Sequence, residues 1–295
     1  MNAAAMPSHL AIPESRPEAR LPASVQAALA AALERLPGGH RAALMAPPNE
    51  GALNHVLLID TDRGGAVFRM RRDASSAEIF DYLNGMYLYT GFPERGGLFR
   101  LRSIAEEIAF VEHARALGLP VPALLAVGDD WMLIERIHGR TAYAAVSCGD
   151  LSVVAPVLET LHEAHACGVI YGDRWGDNEI IEPGGRVRLI DFDVEWAMRT
   201  REPGFLEAME CGVYLFNAMR LTSDRPALLA LAERELVPRL RARGYDMQRM
   251  ARVVDGLGHF YLDPNKPGNE WSLPLSLYQG LAAPLARLVG ALDGR

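Results

Sequence analysis

Lysine is almost absent from this sequence. Lysine and arginine together account for 30 of the 295 residues, and Lys266 is the one lysine among them. The two residues are not interchangeable, because the guanidinium is a planar fork and the ammonium is a compact point charge. Any chemistry that commonly uses a lysine must therefore use an arginine here.

Cysteine and positive charge are also scarce. Cys148, Cys167 and Cys211 lie far apart and form no C-x-x-C pair, which favours reduced thiols in a cytoplasmic protein. The formal net charge is -7. Binding to a phosphate backbone needs a basic surface, so we do not expect a nucleic-acid partner.

Long apolar segments are missing as well. No apolar run has the length of a membrane-spanning helix. The N-terminus lacks the basic start and compact apolar core of a secretory signal. Residues 1–22 are rich in Ala, Pro and Ser and are expected to form a flexible tail. We therefore predict a cytoplasmic protein without a transmembrane segment.

The hydrophobic pattern of the first half predicts a small sheet with helices. "SVQAALAAALERL" predicts a helix that opens on Ser24. The β-type runs "RAALMA", "HVLLID" and "AVFRMR" are separated by turn-rich segments, which indicates an antiparallel meander. An aromatic-rich insertion at 73–103 is expected to be partly helical and to pack on this meander.

Later segments complete the predicted architecture. "SIAEEIAFVEHARALG" predicts a helix that stops at Gly118, and "LPVPALLAVGDDWMLIERIHG" predicts strand, turn and strand. From about residue 151 the pattern is mainly helical. We predict an α+β fold with two lobes: a small N-terminal lobe of antiparallel sheet plus one helix over 23–137, and a larger, mainly helical C-terminal lobe over 138–295.

One segment concentrates polar chemistry, the stretch "YGDRWGDNEIIEPGGRVRLIDFD" from Tyr171 to Asp193. Asp173 and Asn178 belong to one loop, and Asp191 follows the strand-like "VRLI". Phosphoryl transfer needs a carboxylate that orients the attacking hydroxyl and oxygen ligands for Mg²⁺. Magnesium takes one or two such ligands from the protein together with substrate phosphates. We predict Asp173 as the catalytic residue and Asn178 and Asp191 as the metal ligands.

These residues carry a resemblance to the protein-kinase-like superfamily. Its members have a histidine-x-aspartate, an asparagine five residues later, and a strand ending in isoleucine-aspartate-phenylalanine. Here the same places hold "YGD", Asn178 and "LIDFD". The stretch is most similar to the small-molecule branch, which includes aminoglycoside phosphotransferases, choline kinases and sugar kinases of the lipopolysaccharide inner core. The resemblance implies a bilobal fold that uses ATP and Mg²⁺.

The resemblance also implies residues that hold the nucleotide phosphates. "PNEGALNHV" resembles a degenerate glycine loop, in which Gly51, Ala52 and Asn54 would approach the phosphates. "AVFRM" stands where the family has its phosphate-binding lysine, so Arg69 would take that role. Several sugar kinases of this group are similar in using arginine there.

Two further segments match in chain order. "EEIAFVEHARALGLPVP" resembles the helix whose glutamate pairs with the phosphate-binding cation. Glu107 is chosen over Glu106 for that role because it lies on the apolar stripe. "WMLIERIHG" resembles the hinge between the lobes, where the backbone at Glu135 and Ile137 would bond the adenine edge.

The sequence departs from the family pattern beside the predicted base. Tyr171 replaces the usual histidine, and Arg174 and Trp175 stand where a leucine and then a histidine or lysine are common. Asp177 is an additional carboxylate next to Asn178. His162 and His165 have the spacing of metal ligands on a helix, but no third ligand accompanies them. We interpret them as packing residues.

The sequence therefore predicts an ATP- and Mg²⁺-dependent kinase whose acceptor is a hydroxyl of a small molecule. A protein serine/threonine kinase is an alternative, although "EWAMRTREPGFLEAMECGVYLF" runs from Asp193 into helix without a recognisable activation segment. A nucleotide-binding pseudokinase that acts as an interaction module is another, favoured by Arg69 and Tyr171. The net negative charge would tolerate an aminoglycoside. The arginine clusters could instead hold a sugar acid; they comprise Arg95, Arg100, Arg102, Arg136 and Arg140.

Overall fold

The computed structural model describes residues 21–36, 43–45, 53–61, 64–72, 77–199, 202, 204–263 and 280–294. In these residues the strands are β1 (Ala43–Met45), β2 (Asn54–Thr61), β3 (Gly64–Arg71), β4 (Gly97–Leu101), β5 (Leu124–Val127), β6 (Trp131–Glu135), β7 (Arg140–Thr141), β8 (Glu179–Ile181), β9 (Val187–Leu189) and β10 (Val194–Met198). The helices are α1 (Ala23–Glu34), α2 (Ala77–Met86), α3 (Ile104–Ala116), α4 (Ala142–Ser147), α5 (Val154–Ala166), α6 (Phe205–Leu221), α7 (Arg225–Leu231), α8 (Val237–Ala242), α9 (Met247–Leu262) and α10 (Ala282–Asp293).

The chain divides into two compact units. The first consists of residues 1–74 and 124–136, and the second of residues 75–123 and 137–295. The first is built on an antiparallel sheet, and the second, larger unit is mainly helical. The predicted α+β class, with a sheet-based N-terminal region and a larger helical part, is therefore confirmed.

A five-stranded antiparallel sheet forms the first unit, in the order β1-β2-β3-β6-β5. The predicted meander is its first half, with β2 paired to β3 from Asn54 opposite Arg71 to Thr61 opposite Gly64. Apolar side chains of α1 pack on alternate residues of the strands, as period-two patterning requires. The buried core of this unit comprises Val25, Leu29, Ala32, Leu57, Ile59, Ala66, Phe68, Met70, Trp131 and Leu133.

Two helix starts show how local sequence sets the boundaries. Helix α1 begins at Ala23 rather than on the predicted Ser24, and its N-cap residue is Pro22, which makes no side-chain cap. Proline pre-sets a φ suited to this entry. Helix α3 instead has a complete capping box, because Ser103 and Glu106 each bond the other's backbone N–H. It ends before Gly118, which has a φ of +76°.

The second unit contains two small sheets besides its helices. Strands β7, β8 and β9 form one, and β4 pairs with β10 in the other. In that second sheet Phe99 lies opposite Trp196. Of the insertion, α2 and β4 belong to the second unit, where Tyr82 of α2 meets Phe260 of α9 with ring centroids 5.5 Å apart. The packing of the insertion on the meander stays a prediction.

Several predictions concern residues outside the described ranges. Most of the predicted tail, residues 1–20, and the predicted phosphate-loop residues Gly51 and Ala52 lie there. The compact units meet along the chain between Arg136 and Ile137. The assignment of lobes at 137 and 138 stays a prediction. Within the described ranges, no helix combines the length and apolar character needed to cross a membrane.

Candidate active site

A short hairpin brings Asn178 and Asp191 to one edge of the second unit. Asn178 immediately precedes β8 and Asp191 lies just after β9. The two strands are antiparallel, with Glu179 opposite Leu189, so the start of one strand meets the end of the other. The pairing continues beyond the strands, because the Ile190 N–H donates to the Asn178 carbonyl over 2.9 Å.

The loop before β8 carries Asp173 to the same edge. The Asn178 side-chain nitrogen Nδ2 donates to the Asp173 carbonyl over 2.8 Å. This bond closes the loop and holds the buried Asn178 amide in one orientation. Since the amide nitrogen is a donor and is engaged in this bond, Oδ1 is the atom that can act as a ligand.

Asp191 has an unusual backbone. Its φ is +62°, and it is the one non-glycine residue with positive φ in the described part of the chain. Such a left-handed conformation disfavours residues with a Cβ and persists where surrounding contacts fix it. Positions of this kind cluster at functional sites. The residue chosen from its spacing is therefore also marked by its geometry.

Arg174 occupies the interior behind these residues. Its side chain is fully buried, and its Nη2 donates to the Asp191 carbonyl over 2.7 Å. Its Nη1 lies 3.6 Å from Oε1 of Glu179, whose side chain is also fully buried. The guanidinium stands in the core of the loop, beside the Tyr171 and Phe192 rings at 5.8 and 5.7 Å from their centroids.

The carboxyl groups of this loop sit in a low-dielectric environment. Desolvation raises the pKa of Asp173 to about 6, opposed by Arg174 and reinforced by the charge of Asp191. Desolvation also raises the pKa of Glu179 to about 7, again opposed by Arg174. Desolvation raises the pKa of Asp177 above its usual value, although Thr141 and Arg220 act in the opposite direction. A half-buried Asp173 beside other acids has the environment of a functional carboxyl group.

The backbone before Asp173 is anchored from two helices. The Gly172 N–H donates to Oε1 of Glu210 in α6 over 2.6 Å, and Oε2 of Glu210 lies 2.6 Å from Nε2 of His165 in α5. The other nitrogen of His165 meets the Tyr245 hydroxyl at 2.7 Å. Desolvation lowers the pKa of His165, but Cys211 and Glu210 outweigh it and raise the value to about 10. A buried polar network therefore holds the loop.

Gly172 also meets a steric requirement. Its φ is +90°, and a Cβ there would approach the Val194 carbonyl oxygen to 2.7 Å. Glycine is the one residue that tolerates both conditions. Tyr171, the neighbour that replaces the family histidine, is fully buried against Phe110 and Phe192. Its role in the structure is packing.

Asn178 and Asp191 match the ligand chemistry of Mg²⁺. Both offer hard oxygen atoms, and Asn178 has its amide nitrogen already engaged. Within the described residues no cluster of three or more His, Cys, Asp or Glu side chains could hold a metal. Two protein oxygens are enough for Mg²⁺ when phosphate oxygens and water complete the shell. The residues present fit a metal that arrives with a nucleotide.

The predicted nucleotide-binding residues lie in both units. Arg69 is buried in the first unit, in β3, between Val56 of β2 and Met132 of β6. Glu107 is fully buried in α3 of the second unit, whereas Glu106 is exposed and caps α3. This difference in burial favours the choice of Glu107 over Glu106.

Backbone atoms of the other predicted nucleotide-binding residues lie at strand ends. Asn54 is the first residue of β2 and is buried. Glu135 is the last residue of β6, and Ile137 follows at the start of the second unit. The pairing of Arg69 with Glu107 and the adenine contacts at Glu135 and Ile137 stay predictions.

The arginines considered for a sugar acid have partners within the protein. Arg100 pairs with Glu106 and Glu195, and Arg102 donates to the Phe192 carbonyl over 2.7 Å. The remaining pairs are Arg95 with Glu202, Arg136 with Asp60, and Arg140 with Asp150. These contacts give each of the five a structural role, so none of them is our choice for the acceptor.

Sequence reasoning missed the residues that support the loop from behind. Arg174 was noted as a departure from a family leucine, but its burial with Glu179 was not foreseen. Glu210 lies in the largely apolar segment "FLEAMECGVYLF", which also contains Glu207, and an acid inside a buried helix is a signal of a buried partner. His165 was interpreted as a packing residue, and the structure adds its bond to Glu210.

No protein-family model matches the chain. Among curated proteins, it is 31% identical over 104 residues to a probable serine/threonine-protein kinase BUD32 homolog of Archaeoglobus fulgidus, covering 35% of this chain and 51% of that protein. It is 31% identical over 102 residues to a probable bifunctional tRNA threonylcarbamoyladenosine biosynthesis protein of Methanothermobacter thermautotrophicus, covering 34% and 18%. Sperm motility kinase 2A of Mus musculus is 24% identical over 133 residues, covering 43% and 26%.

The chain thus spans about half the length of the first relative and 18% and 26% of the other two. The matches are distant and partial, and they do not single out the small-molecule branch. The names of the first and third relatives are those of kinases, which agrees with the loop spacing. The distant homologues are protein-kinase-like proteins, which supports the protein-kinase-like superfamily for this chain and no narrower branch of it.

Proposed function

We propose that the protein is a kinase that uses ATP and Mg²⁺ to phosphorylate a hydroxyl group of a small molecule. The observation that carries the proposal is the junction of the two loops: Asn178 donates to the Asp173 carbonyl and accepts from the Ile190 N–H, next to Asp191. Base and metal-ligand residues therefore share one rigid edge. Phosphoryl transfer demands that alignment of nucleophile and phosphate.

Each residue of this edge has a defined task in the proposal. The Asp173 carboxylate accepts a hydrogen bond from the acceptor hydroxyl, orients it in line with the γ-phosphate and takes its proton late. Asn178 Oδ1 and the Asp191 carboxylate would hold Mg²⁺, which neutralises phosphate charge when bound. Arg69 would bond two phosphate oxygens with its planar guanidinium, directed by Glu107.

The metal assignment predicts a selective loss in Asp191→Ala. Nucleotide affinity in the presence of Mg²⁺ should fall at least about tenfold, because half of the protein's oxygen ligands are removed. Affinity measured without Mg²⁺ should stay near that of the wild type. Isothermal titration calorimetry with ATP, with and without Mg²⁺, measures both values. Unchanged Mg²⁺-dependent affinity would remove Asp191 from the metal site.

The phosphate assignment predicts that Arg69→Ala weakens ATP binding and turnover. Arg69→Lys should rescue only part of the loss, since an ammonium cannot form the two parallel bonds of a guanidinium. Steady-state kinetics and calorimetry on both variants make the comparison, with Arg71→Ala on the same strand as the matched control. If Arg69→Ala kept wild-type turnover and affinity, the phosphate-binding cation would lie elsewhere.

The choice of a small-molecule acceptor depends on the segment that follows the loop of Asp191. Strand β10 follows Asp193 directly and pairs with β4, and α6 begins at Phe205. That short path lacks a recognisable activation segment, which favours a small acceptor. A protein acceptor is the second candidate, favoured by the similarity to a probable serine/threonine-protein kinase and to a sperm motility kinase. Turnover of ATP against sugars, aminoglycosides, nucleosides and a generic protein substrate distinguishes the two.

The alternative to an enzyme is a nucleotide-binding pseudokinase that acts as an interaction module without catalysis. Arg69 in place of lysine and Tyr171 in place of histidine favour it, whereas Asp173, Asn178 and Asp191 oppose it because all three catalytic positions are filled. Magnesium-dependent ATP turnover with any acceptor of the panel would exclude the pseudokinase.

A further inference from the structure

The guanidinium of Arg174 joins the two loops of the candidate site. Nη2 donates to the Asp191 carbonyl over 2.7 Å. Nη1 donates to the carbonyls of Asn178 over 3.2 Å and Ile190 over 3.1 Å. One side chain therefore contacts the backbone of both proposed metal ligands and of the residue between β9 and Asp191.

Stability alone does not account for a charged pair at this place. Arg174 and Glu179 are both fully buried and 3.6 Å apart, and replacing such a pair by apolar side chains is often neutral or stabilising. A leucine at this position would fill the space but would have no donor for three backbone carbonyls.

The conformation of the Asp191 backbone explains why hydrogen-bond donors are needed at this place. Its φ of +62° is unfavourable for a residue with a Cβ, and the carbonyl of that same residue receives the shortest of the Arg174 hydrogen bonds. The Phe192 carbonyl, next along the chain, accepts from Arg102 over 2.7 Å. Successive carbonyls of the loop are thus fixed by two buried arginines.

We infer that Arg174 is a positioning residue that, oriented by Glu179, holds the backbone of Asn178 and Asp191 in the register that metal-dependent nucleotide binding requires. The part of the inference that concerns metal-dependent nucleotide binding rests on the proposed function. The other part, the hold on the loop backbone, can be measured without nucleotide or metal. A fork of donors can bridge two loops, whereas a lysine at the same place would offer one point charge.

The test is the double variant Arg174→Leu/Glu179→Leu. It removes both buried charges together, so its melting temperature should stay within about 5 °C of the wild type. Amide hydrogen exchange across 189–193 in the nucleotide-free protein should rise at least about tenfold, because the loop loses its support. The Mg²⁺-dependent gain in ATP affinity should fall at least about tenfold in calorimetry.

Arg188→Leu/Glu182→Leu is the matched control. Arg188 is also buried, donates to the Val121 carbonyl over 3.0 Å and lies 3.6 Å from Glu182, but no bond of it to the Asp191 carbonyl is among the described contacts. Its exchange across 189–193 and its Mg²⁺-dependent affinity should match the wild type. Equal changes in both double variants would overturn the inference, since the effect would then be a general one of removing a buried arginine and its acidic partner.

Two further outcomes decide the case. A folded Arg174→Leu/Glu179→Leu variant with wild-type exchange across 189–193 overturns the positioning role, whatever the fate of the proposed function. Raised exchange together with an Asp191→Ala variant of unchanged Mg²⁺-dependent affinity supports the hold on the loop and rejects the metal assignment. If the double variant does not fold, Arg174→Lys keeps the charge opposite Glu179, and the same exchange measurement decides.

Discussion

Asp173→Asn should lower kcat by about a hundred- to ten-thousand-fold while ATP affinity stays near normal. Asparagine keeps the size of the side chain and its capacity to hydrogen bond, but it cannot take a proton. The loop itself should survive, because Asn178 and Arg174 contact backbone atoms of this segment rather than the Asp173 carboxylate. Single-turnover kinetics with an acceptor found in the substrate panel measure the chemical step.

Asp177→Asn is the internal control for this result. Asp177 shares the loop and also has a raised pKa, caused by desolvation, but a hydrogen bond from Thr141 and the charge of Arg220 stabilise its carboxylate form. These are groups of the protein that give Asp177 a structural role. Its substitution should cost far less activity than that of Asp173. If the two variants behaved the other way round, Asp177 would be the base and the assignment of the loop would be wrong.

Local sequence was sufficient where the signal is short-range. The alternating runs and turn-rich separators predicted β2 and β3, and the segment "SIAEEIAFVEHARALG" predicted α3, whose start the structure shows to be fixed by a capping box. The structure brings Asn178 and Asp191 to one edge, because a tight hairpin lies between them and its ladder brings strand ends together. Their role as metal ligands stays a prediction.

Long-range pairing was not predictable from the same signals. Strand β4 of the insertion pairs with β10, with Phe99 opposite Trp196. Nothing in either short segment specifies the partner, since strand pairing depends on tertiary packing more than on propensity. The burial of Arg174 and Glu179 was likewise not predictable from the sequence. A charge in a polar loop is usually solvated, and only the folded chain places these two in the interior.

Glu210 offers the clearest test of how the catalytic loop is supported. Glu210→Ala should lower the free energy of unfolding by about 2–6 kcal/mol, because it leaves two buried groups, the His165 Nε2 and the Gly172 N–H, without their hydrogen-bond partner. The Glu210 side chain is fully buried and that of His165 is 4% exposed, so solvent screens little of this effect. Urea unfolding measures it, and Glu163→Ala, an exposed change on α5, should stay within about 0.5 kcal/mol of the wild type.

The same pair predicts a pH dependence whose sign follows from the pKa of His165. The folded-state value is raised to about 10, with Cys211 and Glu210 as the groups that raise it, whereas the unfolded value is about 6.5. The folded protein therefore binds more protons between these limits. The stabilisation is fully present below about pH 6.5 and is lost as the pH rises toward 10. Glu210→Gln removes one of the raising groups, so the free energy of unfolding should decline less steeply between about pH 6.5 and pH 9 than in the wild type. An equal decline in both proteins would show that Glu210 does not hold the proton on His165, and that the anchoring of Gly172 depends on its hydrogen bond alone.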